Sequence, residues 1–197
     1  MNTREKGIGA TQMNVKIERE ILKKFENMIE NQTAINSIDI VNFKQSMRNI
    51  ASPVGVVTTR HGDVRHGLTA TAICSVSMEP PSMLVCVNRS ASAEKLIAES
   101  GAFAINMLSE DQHNVARLFS TPGLAPEGRY AEGDWHHLET GSPVLNGAAV
   151  SFDCLVEKCI EWGTHNLYIG RVVAAETFNH EILLYKDGAF RQVAKNR

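Results

Sequence analysis

The sequence predicts a mainly β protein, a β-barrel with helices around its periphery. Many short stretches rich in β-branched residues are separated by turn signals between residues 41 and 197, which we take as the folded domain. Few helical crossovers separate these stretches, which argues against a doubly wound parallel sheet. The sequence contains neither the glycine-rich dinucleotide fingerprint nor a P-loop, so any nucleotide must be held by other means.

Residues 1–40 differ from this domain, because they are rich in Lys, Glu, Asn and Gln and poor in Gly. Ile17, Ile21, Phe25, Met28 and Ile29 recur at helical spacing, which predicts an amphipathic helix within an N-terminal leader or arm. This helix could pack on the domain, on a second subunit or on a partner, and the sequence does not choose among them.

The elements of the domain follow in order along the chain. A short helix places Phe43, Met47 and Ile50 on one face, with Asp39 or Asn42 as its cap. Extended segments are predicted at 54–59, 64–77, 83–87, 103–108, 152–162, 167–176 and 183–190, the last interrupted by a turn at 186–188. Two further helices are predicted, 92–100 with Ser90 or Ser92 as its cap, and 109–119 opened by a capping box from Ser109 to Gln112. Residues 120–133 are predicted to form a loop.

Composition narrows the class of protein. The chain has 197 residues, 43% of them hydrophobic and 21% charged, with a formal net charge of -2. This balance lacks the basic footprint of a nucleic-acid-binding protein. No apolar run is long enough for a membrane span and no signal peptide is evident, so we expect a cytoplasmic protein that binds neither nucleic acid nor membrane. The cysteines, Cys74, Cys86, Cys154 and Cys159, are expected to be reduced thiols.

The stretch from His66 to Ser77 combines small residues and hydroxyls on a predicted strand, where a purely structural strand favours bulky side chains. Small side chains let a flat ligand approach backbone N–H groups, while Thr and Ser hydroxyls can serve phosphate or ribityl oxygens. A tightly packed barrel strand would show the same composition. The stretch is therefore a candidate ligand surface.

Residues 87–92 lie at a strand-to-helix junction, where free N–H groups, Arg89 and the hydroxyls of Ser90 and Ser92 could bind phosphate. The alternative is an ordinary capped helix with a surface arginine. His165, in the turn after Trp162, could orient a nicotinamide, and Arg129 in the long loop offers a cation.

A metal site and a hydrolase site are both disfavoured. The adjacent pair His136 and His137 would point to opposite faces of a strand, so the two rings could not easily share one ion. No nucleophile elbow of the G-x-S-x-G type supports a hydrolase.

Taken in order, these stretches resemble the short-chain flavin reductase family, which includes reductase components of two-component aromatic hydroxylases such as 4-hydroxyphenylacetate 3-monooxygenase. The resemblance runs from about Phe43 to Gln192. Its parts are Phe43 to Met47, Pro53 to Thr59, Gly67 to Ala72, Ser75 to Ser77 with Pro80 and Pro81, Val87 to Ser92, Phe103 to Ser109, and Gly163 to His165 through Gly170.

The resemblance implies an FMN-binding split β-barrel that forms a homodimer. It implies that NADH or NADPH reduces FMN or FAD by hydride transfer to the flavin N5, and that diffusible reduced flavin serves a partner monooxygenase. It implies that His165 is the catalytic residue near the nicotinamide. The implied cofactor-binding residues are Gly67, Leu68, Thr69, Ala70, Thr71, Ala72, Ser75, Val76, Ser77, Val87, Asn88, Arg89, Ser90, Ser92, Asn106, Arg129 and His165.

Two departures from the family pattern and two rival functions remain. The family turn is commonly Gly-Asp-His, but Thr164 stands here in place of the acid, and the leader of about 40 residues exceeds the usual short N-terminus. The rivals are a pyridoxine-phosphate oxidase-like oxidase on the same barrel and a non-enzymatic flavin-binding or sensor protein. The choices of FMN or FAD and of NADH or NADPH stay open.

Overall fold

A computed structural model describes residues 19–24 and 36–194 of the chain, which divides into two compact units, Met1–Lys44 and Gln45–Arg197. In the first unit residues 19–24 are helical and exposed, and they include Ile21. The other apolar positions of the predicted leader helix, Ile17, Phe25, Met28 and Ile29, lie outside the described residues.

Helix α1 (Ile40–Met47) begins where the sequence predicts a cap. The Asp39 carboxylate accepts hydrogen bonds from the backbone N–H groups of Val41 and Asn42, both at 3.0 Å. These donors, above all the N–H of Asn42, stabilise the charged carboxylate and lower the pKa of Asp39. Asp39 is therefore confirmed as the N-cap.

The second unit is built on one antiparallel sheet of seven strands in the order β3-β2-β6-β9-β10-β5-β4. Its strands are β2 (Gly55–His61), β3 (Val64–Ala70), β4 (Ile73–Met78), β5 (Pro81–Asn88), β6 (Ala102–Met107), β9 (Val150–Trp162) and β10 (His165–Thr177). Strands β1 (Ser52–Pro53), β11 (Leu184–Lys186) and β12 (Ala189–Arg191) form a small sheet, and β7 (Trp135–His137) pairs with β8 (Pro143–Leu145).

The sheet curls almost into a barrel. Strands β3 and β4 occupy its opposite edges, yet only Thr71 and Ala72 separate them along the chain. The three steps from Ala70 to Ile73 span at most about 11 Å, so the edges must approach each other at this corner. The predicted single extended region 64–77 is thus wrong in this detail, because the chain leaves one edge of the sheet at Ala70 and starts the other at Ile73.

Both faces of β2 are buried, which explains its apolar, β-branched sequence. Val57 packs into a cluster with Phe103, Ile105 and Tyr168, whereas Val56, on the opposite face of the strand, joins a second cluster with Phe119. The predicted mainly β barrel with peripheral helices is confirmed, although its sheet is not closed.

The helices complete the second unit as α2 (Glu94–Ser100), α3 (His113–Ser120) and α4 (Pro126–Arg129). The predicted serine cap of α2 is wrong, because its N-cap is Ala93 and makes no side-chain cap bond. Before α3, Gln112 accepts the backbone N–H of Ser109 at 3.0 Å, which is one contact of the predicted capping box. In the part of the chain described, no helix has the length and apolarity needed to cross a bilayer.

Candidate functional site

A cavity of about 600 Å³ opens between strand β3, the segment that leads into α2, and the chain from the end of α3 through α4. It is lined by His66, Gly67, Leu68, Ser90, Ala91, Ser92, Phe119, Ser120, Thr121, Pro122, Gly123, Leu124, Ala125, Pro126 and Arg129. Its volume lies within the range of roughly 300–1,000 Å³ typical of sites for small molecules and cofactors. We call it the β3 cavity.

Gly67 lets the wall of the β3 cavity close tightly. A Cβ at this position would lie 2.7 Å from Cε1 of Phe119 and 2.7 Å from the carbonyl oxygen of Val57. Real Cβ atoms do not approach so closely, so any larger residue would push the Phe119 ring away from the strand. The small residue predicted from the strand's composition is thus required by packing at this position.

His66 lines the β3 cavity and is 7% exposed. The N–H of Gly67 donates to its Nδ1 at 2.8 Å, a shorter contact than the 3.2 Å from Nδ1 to the Gly67 carbonyl oxygen. Nδ1 is therefore an acceptor, and the neutral ring carries its proton on Nε2. Burial lowers the pKa of His66, and the positive charge of Arg129 acts in the same direction.

Arg129 is buried, with 6% of its surface exposed, and it fixes the far wall of the cavity. One guanidinium nitrogen donates to the carbonyl oxygens of Leu118 and Phe119 at 3.2 and 2.8 Å, and the other donates to that of Thr121 at 3.0 Å. These bonds hold the end of α3 and the residues that follow it. The Nε of Arg129 is buried without a hydrogen-bond partner, so one charged donor of the guanidinium is left unsatisfied by the described residues.

Asn88 organises the turn that carries Ser90 into the cavity wall. Its side-chain oxygen accepts the backbone N–H of Ser90 at 2.9 Å and the Ser90 hydroxyl at 2.8 Å. The Asn88 amide oxygen is therefore occupied by protein donors, and it shapes the segment before α2 rather than lining the cavity.

Arg89 turns away from the β3 cavity toward the hairpin formed by β9 and β10. Its guanidinium donates to the carbonyl oxygen of Gly163 at 2.8 Å and lies 3.4 Å from the carboxylate of Glu161. Its backbone N–H donates to the carbonyl oxygen of Thr164 at 3.0 Å. Arg89 therefore ties the segment before α2 to the end of this hairpin, which we call the hairpin end (residues 161–165).

His165 is the first residue of β10, directly opposite Asn88 of β5. The hydroxyl of Thr164 lies 2.9 Å from Nδ1 of His165. Thr164 is the position at which the Gly-Asp-His turn would carry an aspartate, so a hydroxyl contacts the ring here instead of a carboxylate. His165 neighbours the segment before α2 through strand pairing but does not line the β3 cavity.

The remaining predicted residues lie along β3, β4 and the barrel interior. The Thr69 hydroxyl donates to the carbonyl oxygen of Ala116 at 2.7 Å and joins β3 to α3. Asn106 is fully buried, donating to the Val56 carbonyl at 3.1 Å while its oxygen accepts the N–H of Leu145 at 2.8 Å. Between β3 and β4, Thr71 and Ala72 are exposed, and on β4 Ser75 and Val76 are exposed while Ser77 is half-buried. Ala70 and Val87 are buried.

Of the sequence-predicted residues, the structure brings five into one cavity: Gly67, Leu68, Ser90, Ser92 and Arg129. Sequence reasoning placed His66 at the start of the candidate stretch but not among the cofactor-binding residues, and it missed the wall formed by residues 119–126. The wall residues carry no polar motif, and their position depends on the bonds of Arg129.

The described residues contain no group of three His, Cys, Asp or Glu side chains placed to hold a metal ion. His136 instead lies 3.1 Å from a carboxylate oxygen of Glu176. All cysteines are free thiols, and burial raises the pKa of Cys154 to about 12.

An antiparallel barrel whose sheet is not closed, with a cavity of cofactor size beside strand β3, defines a split-barrel protein with a candidate cofactor site. Within that class, the family model for the flavin reductase like domain matches residues 47–194, so the chain belongs to the flavin reductase family. This result and the structural likenesses below confirm the expected split-barrel fold.

The chain is similar to known flavin reductases in sequence and structure. It is 40% identical over 153 residues, 77% of this chain and 87% of the relative, to the FMN reductase (NADH) RutF of Agrobacterium fabrum. Its fold matches BorF, the flavin reductase component of a bacterial two-component tryptophan halogenase, with a TM-score of 0.74 and 30% identity, covering 80% of this chain and 100% of BorF. It also matches the NADH:FAD oxidoreductase of Streptomyces globisporus, with a TM-score of 0.74 and 29% identity, covering 82% and 98% of the two chains.

Proposed function

We propose that this protein is an NADH-dependent flavin reductase that acts on FMN. The observation that carries the proposal is the β3 cavity. In this chain, which belongs to the flavin reductase family, Gly67, the serines before α2 and the buried Arg129 surround one space of cofactor size. The bound flavin would supply the redox chemistry by taking a hydride at N5 from the dihydronicotinamide. The protein's own task is then to bind and orient two rings.

The residues present fit a flavin phosphate ester. Arg129, Ser90 and Ser92 line the cavity and the Nε of Arg129 has no hydrogen-bond partner, while Gly67 and Leu68 offer a smooth wall to a flat ring. The neutral His66 can donate from Nε2 without adding charge. A single guanidinium with most donors already committed to protein carbonyls would give moderate affinity, which suits a flavin that must leave after reduction.

The preference for FMN and NADH rests on the curated relative from Agrobacterium fabrum, which is named for both. The Streptomyces globisporus protein is named for FAD, so flavin choice differs within the fold. We propose that His165 contacts the nicotinamide from the hairpin end, since strand pairing sets it beside Asn88. On this proposal Thr164 orients its ring through the contact to Nδ1.

We further propose a homodimer formed through the edge strand β4, in the reducing cytoplasm. Large apolar side chains are exposed on this strand: Val76 is 48% and Met78 82% exposed. An edge strand with exposed apolar side chains is a surface on which a second chain can pair. The exposed free thiols of Cys74 and Cys159 are consistent with a reducing compartment.

Reduced flavin would pass to a separate oxygenase-type partner, because BorF is named as the reductase component of a two-component system. The proposed hand-over requires release of reduced flavin and no covalent link between the two proteins. Reduction of an external electron acceptor that does not bind this chain therefore measures the release of reduced flavin.

The decisive experiment follows loss of NADH absorbance with purified protein and catalytic, then excess, FMN. We expect turnover that depends on free FMN, is slower with FAD and NADPH, and reduces an external acceptor in step with NADH loss. Flavin that binds but consumes no NADH would overturn the enzymatic proposal in favour of a sensor. Flavin that stays bound through many turnovers without reducing the external acceptor would overturn the hand-over alone.

A further inference from the structure

A second cavity lies between the β2–β3 turn and strand β7. It has a volume of about 260 Å³ and is lined by Arg60, Asp63, Arg65, Trp135, His136, His137, Gly141 and Pro143. It shares no lining residue with the β3 cavity. The Tyr130 ring lies between the two, since its hydroxyl donates to the carbonyl oxygen of His66 at 2.8 Å while its ring lies under Arg65.

Basic groups dominate this second cavity. Two guanidiniums and two imidazoles line it, against the single lining carboxylate of Asp63. That carboxylate is fully exposed and lies 3.8 Å from a guanidinium nitrogen of Arg60, a loose contact of little energetic weight. The other nearby carboxylate belongs to Glu176, which does not line the cavity; one of its oxygens lies 3.1 Å from Nε2 of His136. Among the lining residues, two guanidinium charges therefore face the single carboxylate charge of Asp63.

Arg65 is the centre of this charge. Its guanidinium carbon stands 4.0 Å from the centroid of the Tyr130 ring, so one face of the planar group is covered by an aromatic surface. Within the described part of the chain no carboxylate pairs with Arg65. A stacked guanidinium keeps its N–H edge directed sideways, which is the geometry that binds the oxygens of a phosphate in a bidentate manner.

The volume of this second cavity limits the size of the ligand that it can hold. The volume lies just below the roughly 300–1,000 Å³ that holds drug-sized molecules, which leaves room for a phosphate or diphosphate group and not for a flavin. We propose that this second cavity is a binding site for a small phosphate-bearing anion, held by Arg65 and Arg60 and separate from the β3 cavity. The proposal does not depend on the flavin reductase activity.

The test is isothermal titration of the full-length protein with inorganic pyrophosphate at low salt, without and with saturating FMN. We expect one site per chain whose affinity is the same in both titrations. Arg65→Gln should weaken binding by about tenfold, since a charge-assisted pair of bonds is lost, and Arg60→Gln by a smaller factor. Arg48→Gln is the matched control, because Arg48 pairs with Asp187 at 2.8 Å and lines neither cavity.

Each outcome decides the proposal. Loss of binding in Arg65→Gln with normal binding in Arg48→Gln supports it, and Arg60→Gln provides the same test if Arg65→Gln does not fold. Three results would overturn it: no heat of binding in the wild type, equal affinity in all variants, or competition between pyrophosphate and FMN, which would place the anion in the β3 cavity.

Discussion

One arginine predicted to bind cofactor lies in the wall of the β3 cavity and another contacts the hairpin end, yet the two regions are built differently. Arg129 is 6% exposed and makes its bonds to carbonyl oxygens within the cavity wall. The Arg89 side chain is 50% exposed and contacts an exposed hairpin. Residues predicted together as cofactor-binding can therefore lie in two kinds of region: the wall of the β3 cavity, held by buried hydrogen bonds, and the hairpin end, held by a few exposed contacts.

This comparison divides the expected effects of mutation. Changes in the β3 cavity should reduce stability and flavin affinity together, because the same bonds make the wall and the core. Changes at the hairpin end should leave stability almost unaltered, since exposed polar contacts contribute little. There the effect should fall on the Michaelis constant for NADH.

The largest effect is expected from Arg129→Met, which keeps the length of the side chain and removes its donors. Three carbonyl oxygens lose a charged partner, so the free energy of unfolding should fall by about 3 kcal/mol. Flavin affinity should fall as well, because residues 119–126 are released. Urea unfolding monitored by tryptophan fluorescence and a flavin titration measure the two effects.

Arg171→Met is the matched control for Arg129→Met. Arg171 also bonds a protein oxygen, the Glu157 carboxylate at 2.7 Å, but its side chain is 41% exposed. Its loss should change the free energy of unfolding by less than about 0.5 kcal/mol. Similar losses in the two variants would show that burial of Arg129 does not make the cavity wall rigid.

Gly67→Ala should produce the next largest effect. The added methyl group would meet Cε1 of Phe119 and the Val57 carbonyl oxygen at 2.7 Å, and overpacking of this kind costs about 2 kcal/mol. Displacement of Phe119 should also weaken FMN binding, measured by fluorescence quenching.

Gly62→Ala separates this steric effect from a general loss of stability. Gly62 has a φ of 59° and nothing within 4 Å of its missing Cβ, so alanine there costs only backbone strain of about 1 kcal/mol. We expect unchanged FMN affinity in this control. Equal weakening of FMN binding in both variants would contradict a specific role of Gly67 in shaping the cavity.

Much of this fold can be predicted from short stretches of the sequence. Asp39 caps α1 as its side chain predicts, and β2 follows its β-branched run. The break at Thr71 and Ala72 was not predictable, because residues 64–77 show continuous extended character and only the curl of the whole sheet separates β3 from β4. Local patterns specify strands, whereas tertiary closure decides where one strand stops.

The candidate site was predictable in part, in its small residues and in Arg129. Gly67 and Ser90 stand in motifs that the sequence shows directly. For Arg89 the sequence indicates a cation at a strand-to-helix junction. It does not indicate the direction of the side chain, which is set by a hydrogen bond to the carbonyl oxygen of Gly163, 74 positions away along the chain. For Asn106 the partners come from three other strands: the Val56 carbonyl oxygen, the Leu145 N–H and the Ser151 hydroxyl, which cannot be identified without the register.

A smaller effect is expected from Arg89→Ala at the hairpin end. Stability should change by less than about 0.5 kcal/mol because the contact to Glu161 is exposed. Loss of the bond to the Gly163 carbonyl should loosen His165 and raise the Michaelis constant for NADH by about fivefold, the value of one hydrogen bond. The dissociation constant of FMN should stay nearly constant.

Glu161→Gln completes this test, since it removes the carboxylate while the bond from Arg89 to Gly163 persists. We expect a weaker effect on the Michaelis constant for NADH than in Arg89→Ala. A large rise in the FMN dissociation constant in Arg89→Ala, with the Michaelis constant for NADH unchanged, would instead assign Arg89 to the flavin phosphate and erase the proposed difference between the two regions.

The smallest effect is a pH dependence confined to the β3 cavity. Burial lowers the pKa of His66 below 6.5 in the folded state, so below that pH the unfolded chain binds the extra proton first. The contribution of His66 to stability is therefore complete above pH 6.5 and is lost as the pH falls through the lowered folded value. Protonation would also break the bond from the Gly67 N–H to Nδ1. His66→Gln should flatten the fall in unfolding free energy on acidification, whereas His165→Gln, at the exposed hairpin end, should retain it. An unaltered acid limb in His66→Gln would show that the cavity does not hold this histidine neutral.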